Sequence, residues 1–212
     1  MKSKKKLLKD SRLYIILDKK LLGNKPIINT ARKIKDKGCD IIQFRDKESD
    51  KETTLKYAYK LHRLLLNSKT VFIINDYIDI AKMVDSDGLH LGQDDLPIEI
   101  ARQILGKDKI IGVSCHNLEQ AIIAQNRGAD YIGIGPVFST PIKPATKAIG
   151  LDSLKEIKKK IKIPFFAIGG INENNIDRVL SSGVKRVVVC RAICQAKNLA
   201  RATKNIKNQL NK

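Results

Sequence analysis

The sequence predicts a (β/α)8 TIM barrel formed by a single domain that spans residues 1–212. Two observations lead to this fold class: short, almost continuously apolar runs recur along the whole chain, and segments with helical spacing lie between them. Continuous apolar strands that alternate with helices are typical of a parallel sheet covered on its outer face. Because the apolar runs number eight, we expect the sheet to close into a barrel.

The predicted strands have the length of buried strands, and most of them end in polar residues or glycine. They span residues 12–18, 40–46, 71–76, 88–92, 110–115, 131–137, 164–170 and 186–191. Helical patterns lie at 30–37, 52–66, 118–126, 151–161, 174–181 and 198–210. The alternative is an open doubly wound sheet, which needs fewer strands and usually a Gly-rich first turn. Leu17-Asp18-Lys19 supplies no such turn.

The charge balance favours anionic partners, since 41 Lys and Arg face 22 Asp and Glu and give a net charge of +19. The lysines are spread along the whole chain with few aromatic residues between them, and residues 1–11 form a Lys-rich extension. This distribution is typical of solvated helix faces, so we expect small-molecule partners and no nucleic acid. A nucleic-acid-binding barrel driven by the positive charge is the alternative, and its binding would fall steeply with salt. A homo-oligomer is compatible with the sequence.

Two further features of the sequence indicate the cellular compartment of the protein. No window is long and apolar enough for a membrane span, and the basic start lacks the apolar stretch of a secretory signal. The four cysteines, Cys39, Cys115, Cys190 and Cys194, form no paired motif and lie within or beside apolar runs. We therefore expect reduced thiols in a cytoplasmic protein without a membrane partner.

Strand two ends in a polar run, Gln43-Phe44-Arg45-Asp46-Lys47, at the end of the barrel where active sites lie. Alternation along a strand places Gln43, Arg45 and Lys47 on one side and Phe44 on the other. Arg offers a planar fork and Lys a point charge, and both bind phosphate. The alternative for the basic pair is ordinary surface charge.

Carboxylates follow the next two strands. Asn75-Asp76 ends strand three, and strand four leads into Gln93-Asp94-Asp95. Hard oxygen ligands at adjacent strand ends suit Mg²⁺, which takes one or two carboxylates together with substrate phosphates. A helix N-cap is the alternative for one residue of the Asp94-Asp95 pair.

Strand five ends in Ser114-Cys115-His116. A Cys-His nucleophilic pair is disfavoured because adjacent residues on a strand point in opposite directions. His90, inside strand four, is expected to be a hydrogen-bonded residue of the core or of the barrel mouth.

A second anion site is predicted after strands six to eight. The long loop at 138–150 contains Thr140 and Lys143, strand seven ends in Gly169-Gly170, and strand eight ends in Cys190-Arg191. Glycines let a phosphate approach backbone amides, although a plain turn is the alternative. Two anion sites and a metal site at one mouth indicate an enzyme that joins two phosphorylated molecules.

These motifs, taken in order from Tyr14 to Ile193, resemble the thiamine phosphate synthase family. The matching stretches are Gln43-Phe44-Arg45-Asp46-Lys47, Ile74-Asn75-Asp76, His90-Leu91-Gly92-Gln93-Asp94-Asp95, Gly112-Val113-Ser114, Gly133-Ile134-Gly135-Pro136-Val137-Phe138 and Ala167-Ile168-Gly169-Gly170-Ile171. The resemblance implies a (β/α)8 barrel that condenses a pyrimidine diphosphate with a thiazole phosphate, using Mg²⁺. Diphosphate leaves first in this chemistry, and the thiazole nitrogen captures the resulting carbocation.

The resemblance also implies roles for individual residues. It makes Asp76 and Asp95 the Mg²⁺ ligands. Catalytic roles fall to Arg45, Lys47, Ser114 and Lys143. Substrate binding falls to Gln43, Phe44, Arg45, Asp46, Lys47, Asn75, Ser114, Thr140, Ile142, Lys143, Gly170, Cys190 and Arg191.

Two positions depart from the family's pattern. Ile142 stands where the family commonly has a second Thr, and Arg191 stands where strand eight commonly ends in Ser. We expect Arg191 to lie on the strand and to pair with the thiazole phosphate. The rival function is that of the related thiazole tautomerase, in which His116 would move a proton. A tautomerase would not need Arg45, Lys47 and the two aspartates.

Overall fold

Each strand of the fold pairs in parallel with the next strand along the chain, and the last strand pairs with the first. The computed structural model describes residues 3–140 and 147–212. The strands are β1 Leu13–Asp18, β2 Ile41–Arg45, β3 Val71–Asn75, β4 Gly88–Leu91, β5 Ile110–Cys115, β6 Tyr131–Ile134, β7 Phe165–Ile168 and β8 Val187–Val189. Closure through Leu13 and Val187 confirms the predicted (β/α)8 barrel.

Apart from the first helix, which precedes β1, the helices lie after the strands. In the described residues they are α1 Lys4–Asp10, α2 Lys19–Leu22, α3 Ile27–Asp36, α4 Lys51–Leu65, α5 Ile78–Met83, α6 Ile98–Leu105, α7 Leu118–Asn126, α8 Gly150–Lys160, α9 Ile176–Ser181, α10 Arg191–Cys194 and α11 Leu199–Leu210. None of them is both long enough and apolar enough to cross a membrane.

Alternation along the strands divides the core into two layers. Ile15, Leu17 and Ile42 face outwards and pack against the helices. Tyr14, Ile41 and Tyr131 face inwards and fill the barrel. The polar residues at the mouth continue this inward-facing set, which is why side chains from different strands converge there.

Helix α1 covers the N-terminal end of the barrel, opposite the mouth. Leu8 is 2% exposed and packs into the inner core layer. The Lys4 ammonium lies 2.8 Å from the carbonyl oxygen of Thr70 and 3.1 Å from the Asp87 carboxylate, both at the starts of strands. Part of the predicted Lys-rich extension is therefore packed against the barrel.

Strand eight ends earlier than predicted. Its last residue is Val189, and Arg191 begins α10. The expectation that Arg191 lies on strand backbone is therefore wrong. The apolar run at 187–190 hides this boundary, because Cys190 continues the strand pattern and no capping side chain marks the start of α10.

Candidate active site

A cavity of about 750 Å³ opens at the C-terminal ends of the strands, and all eight strands contribute residues to its wall. It brings together most of the residues that the sequence singled out. These are Gln43, Arg45, Lys47, Asn75, Asp76, Asp95, Ser114, Thr140, Gly170, Cys190 and Arg191. Ile142 and Lys143 lie outside the described residues.

The two cations of strand two both contact carboxylates at the mouth. The Arg45 guanidinium forms an ion pair with Asp18, the last residue of β1, and the Lys47 ammonium forms one with Asp76. The hydrogen bond with Asp76 raises the pKa of Lys47, so this side chain stays charged. Asp18 was not predicted as a site residue, although its position at a strand end was the available signal.

Phe44 on β2 and Asp46 directly after it do not line the cavity. Phe44 is 2% exposed in the outer core layer, with its ring 6.4 Å from that of Tyr57. Asp46 accepts hydrogen bonds of 3.0 Å from the backbone amides of Glu48 and Ser49, which shapes the following loop. We therefore correct the expectation that the side chains of Phe44 and Asp46 bind substrate, because strand alternation turns Phe44 outwards and the amides of the following loop hold Asp46.

Asp76 and Asp95 lie side by side in the mouth. Asp76 has a φ of 59°, a left-handed conformation that is uncommon outside glycine, and its amide donates to the carbonyl oxygen of His90 at 2.9 Å. Asp95 accepts a hydrogen bond of 2.6 Å from the Gly92 amide. Partial burial raises the pKa of the Asp95 carboxyl, and the adjacent Asp76 carboxyl raises it further.

This pair of carboxylates fits a small divalent cation. The Asp76 carboxyl disfavours the charged form of Asp95, and a cation between the two would remove that penalty. In the described residues no group of three or more His, Cys, Asp or Glu side chains forms a metal site. Mg²⁺ does not require one, since it keeps waters and takes oxygens from substrate phosphates.

Hydrogen bonds connect Ser114 to the interior of the barrel. Its hydroxyl oxygen lies 2.9 Å from Nε2 of His90, and Nδ1 of His90 lies 2.9 Å from the Tyr131 hydroxyl. His90 is only 8% exposed, which agrees with the expected hydrogen-bonded residue of the core or mouth. The sequence did not single out Tyr131, because it lies inside an apolar strand.

Cys115 and His116 do not form a nucleophilic pair. Cys115 is buried, and its burial raises the pKa of the thiol to about 12. The Nδ1 atom of His116 lies 2.6 Å from the carbonyl oxygen of Gly135. All four cysteines are free thiols.

Residues after strands six to eight that were predicted to form a second anion site also line the cavity. Gly170 has a φ of 67°, and a Cβ there would lie 2.8 Å from Cβ of Phe138, so this close approach of two loops requires glycine. Arg191 is exposed at the cavity wall. Within residues 3–140 and 147–212, it has no ion-pair partner.

Comparison with known proteins identifies relatives of this chain. The family model described as "Thiamine monophosphate synthase" matches residues 13–193. The thiamine-phosphate synthase of Methanosarcina barkeri is 39% identical over 202 residues, which cover 95% of this chain and 91% of that protein. The synthase of Nostoc punctiforme is 41% identical over 206 residues, and this chain spans only 58% of its length.

Solved structures agree with the sequence comparison. A thiamine phosphate pyrophosphorylase from Pyrococcus furiosus superposes with a TM-score of 0.88 at 35% identity, covering 97% of this chain and 98% of that one. A 3-hexulose-6-phosphate synthase, with a TM-score of 0.68 at 17% identity, shares the fold alone.

Proposed function

The chain belongs to the thiamine monophosphate synthase family, and from this premise we propose that its barrel mouth performs the thiamine phosphate synthase reaction. The substrates are 4-amino-2-methyl-5-(diphosphooxymethyl)pyrimidine and 4-methyl-5-(2-phosphooxyethyl)thiazole. The bond between the pyrimidine methylene carbon and the diphosphate oxygen breaks, and its electron pair leaves with diphosphate. The thiazole nitrogen then bonds to that carbon and gives thiamine phosphate, so the enzyme is a transferase of thiamine biosynthesis.

The observation that supports this proposal most directly is the meeting of two cations and two carboxylates in one cavity. Arg45 and Lys47 lie beside Asp76 and Asp95, with Ser114 in the same wall. Negative charge develops on the departing diphosphate, and the Arg45 and Lys47 cations and the Ser114 hydroxyl stabilise it. Asp76 and Asp95 would hold Mg²⁺, which when bound supplies further positive charge to the leaving group.

The reaction needs no covalent nucleophile, in keeping with the buried thiol of Cys115. Gln43 and Asn75 bind the pyrimidine diphosphate at the same wall. Thr140, Gly170, Cys190 and Arg191 border the thiazole phosphate, where Arg191 provides the charge of its guanidinium. Lys143 and Ile142 remain predictions for this side, since both lie outside the described residues.

The cavity, the net charge and the cysteines also support proposals for the partners and the cellular location of the protein. The cavity takes small phosphorylated molecules, and the net charge of +19 attracts them without a nucleic-acid surface. Four free thiols favour a cytoplasmic location. A homo-oligomer stays a prediction.

The test is incubation with both substrates and Mg²⁺, with thiamine phosphate and diphosphate measured together. We expect the two products in equal amounts, and none when either substrate is omitted. The rival tautomerase would instead isomerise a carboxylated thiazole phosphate and form neither product. That outcome would overturn the proposal.

A further inference from the structure

A chain of hydrogen bonds crosses the barrel interior beneath the cavity. The Nε2 atom of Gln43 donates to the Tyr14 hydroxyl at 2.6 Å, and the hydroxyls of Tyr14 and Tyr131 are 2.9 Å apart. From Tyr131 the chain continues through His90 to Ser114, with 2.9 Å at each step. Gln43, His90 and Ser114 line the cavity, whereas both tyrosines are fully buried beneath it.

The Gln43 amide donor indicates the direction of these hydrogen bonds, since either hydroxyl of the tyrosine pair can donate. Burial raises the pKa values of Tyr14 and Tyr131 above that of a free phenol, so each hydroxyl keeps one hydrogen to donate. Tyr14 accepts from Gln43 and therefore donates to Tyr131, since a second accepted bond would leave its own hydrogen buried without a partner. Tyr131 then donates to Nδ1 of His90.

The tautomer of His90 determines the remaining hydrogen bonds, which lead to Ser114. A neutral imidazole that accepts at Nδ1 has its proton on Nε2, and this proton is donated to the oxygen of Ser114. The Ser114 hydrogen is then available to the cavity. At the other end, the Oε1 atom of Gln43 is buried and has no hydrogen-bond partner among the described residues, so it offers an acceptor.

We propose that Tyr14, Tyr131 and His90 are positioning residues that hold the Ser114 hydroxyl as a donor to the diphosphate group and the Gln43 carbonyl as an acceptor for the pyrimidine amino group. This inference rests on the proposed function for the identity of the ligands. The opposite direction would turn an amide N–H towards the amino group and an oxygen lone pair towards an anion, and both contacts would be unfavourable.

The packing of the barrel accommodates the two tyrosines of this chain of hydrogen bonds. A Cβ at Gly112 would lie 2.0 Å from Cζ of Tyr131, so the tyrosine ring occupies the space of the missing side chain. Phe166 packs edge-on against both tyrosines, with ring centroids 5.5 and 5.7 Å away. The two rings are thereby fixed by neighbours that make no polar contact with the cavity.

The first test measures the histidine tautomers directly by ¹⁵N NMR, without substrate. The chain has three histidines, so His62→Gln removes one set of signals and leaves His90 and His116. Well above the ordinary imidazole pKa of about 6.5, we expect His90 to be protonated on Nε2. His116 should be protonated on Nδ1, because a carbonyl oxygen can only accept. A His90 protonated on Nδ1 would overturn the proposal.

The second test is a double-mutant cycle on the binding of inorganic diphosphate with Mg²⁺. We expect Tyr131→Phe to weaken binding by about five- to ten-fold, the usual size of one hydrogen bond. In the Ser114→Ala background the same change should have less than about a two-fold effect, since the hydroxyl it orients is gone. Phe166→Leu is the matched control, as it alters the same layer without removing a hydroxyl.

The outcomes of this cycle separate the two proposals. Equal effects of Tyr131→Phe in both backgrounds, or no effect in the wild type, would overturn the positioning role. A wild-type protein that binds no diphosphate would instead overturn the proposed function. The tautomer measurement would then still decide the direction of the hydrogen-bond chain.

Discussion

At the scale of single residues, the two cations that follow β2 are each paired with a carboxylate at the mouth. Arg45 contacts Asp18 and Lys47 contacts Asp76, so neither basic side chain depends on bulk solvent for its position. A diphosphate that enters this wall meets groups already oriented by their neighbours. Such preorganisation is the main source of electrostatic stabilisation in a charge-developing step.

The carboxylate pair gives the first prediction. Asp95→Asn keeps the shape of the side chain and removes its charge. We expect turnover to fall on the order of 100-fold or more, which corresponds to a loss of several kcal/mol of transition-state stabilisation. Activity should be titrated against Mg²⁺ for this variant and for Asp94→Asn, the neighbouring carboxylate as control. Wild-type turnover in excess chelator would contradict the prediction.

Arg45 provides a second prediction. Arg45→Ala should lower kcat/KM by about 10- to 100-fold, and Arg45→Lys should restore only part of it because a point charge replaces the planar fork. Lys51→Ala is a suitable control, since its ion pair with Asp79 lies on the exposed surface. Full activity of Arg45→Ala would contradict a role in binding diphosphate and would favour the alternative that Arg45 is ordinary surface charge.

Arg191 allows a prediction that separates the two substrates. Its guanidinium is exposed at the cavity wall, so Arg191→Ala should raise the KM of the thiazole phosphate and leave that of the pyrimidine diphosphate unchanged. Arg191→Lys should recover part of the lost affinity. Steady-state kinetics with each substrate varied in turn provide the measurement, and unchanged constants for both would rule out the pairing.

At the scale of elements, the strands were predictable and the short helices were not. A buried parallel strand such as β3 is apolar except for Asn75 at its end, and this pattern is visible in the sequence. Helices α2 and α10 have only four residues each, fewer than the repeat needed to show an apolar face.

Position in the chain also decides which site residues are predictable. Strand-end residues such as Arg45 and Asp76 follow from chain order alone. The partnership of Tyr14 with Tyr131 depends instead on side chains meeting across the barrel, which only closure of the sheet determines.

Helix α1 gives a prediction at this scale. Leu8→Ala should lower the free energy of unfolding by about 2–4 kcal/mol, because it leaves a cavity at the closed end of the barrel. Lys6→Ala, on the exposed side of the same helix, should change it by less than about 0.5 kcal/mol. Denaturant unfolding of both variants measures the difference, and equal stabilities would show that α1 contributes no packing.

At the scale of the whole molecule, the charge of +19 acts on substrates before they reach the cavity. A positive field speeds the approach of anions, and salt screens it over about 8 Å at physiological ionic strength. We expect kcat/KM to fall as KCl is raised at fixed, saturating Mg²⁺, while kcat at saturating substrate changes much less. A salt-independent kcat/KM would show that the charge does not steer substrates.

The position of α1 also has a consequence for synthesis on the ribosome. This seven-residue helix is too short to persist alone, and its partners include Thr70, Asp87 and Asp130, which are translated later. Until those segments emerge, Leu7 and Leu8 face water in the nascent chain. The lysines at positions 4, 5 and 6 place positive charge next to these two leucines, and Lys4 and Lys5 form ion pairs with Asp87 and Asp130 once the barrel closes.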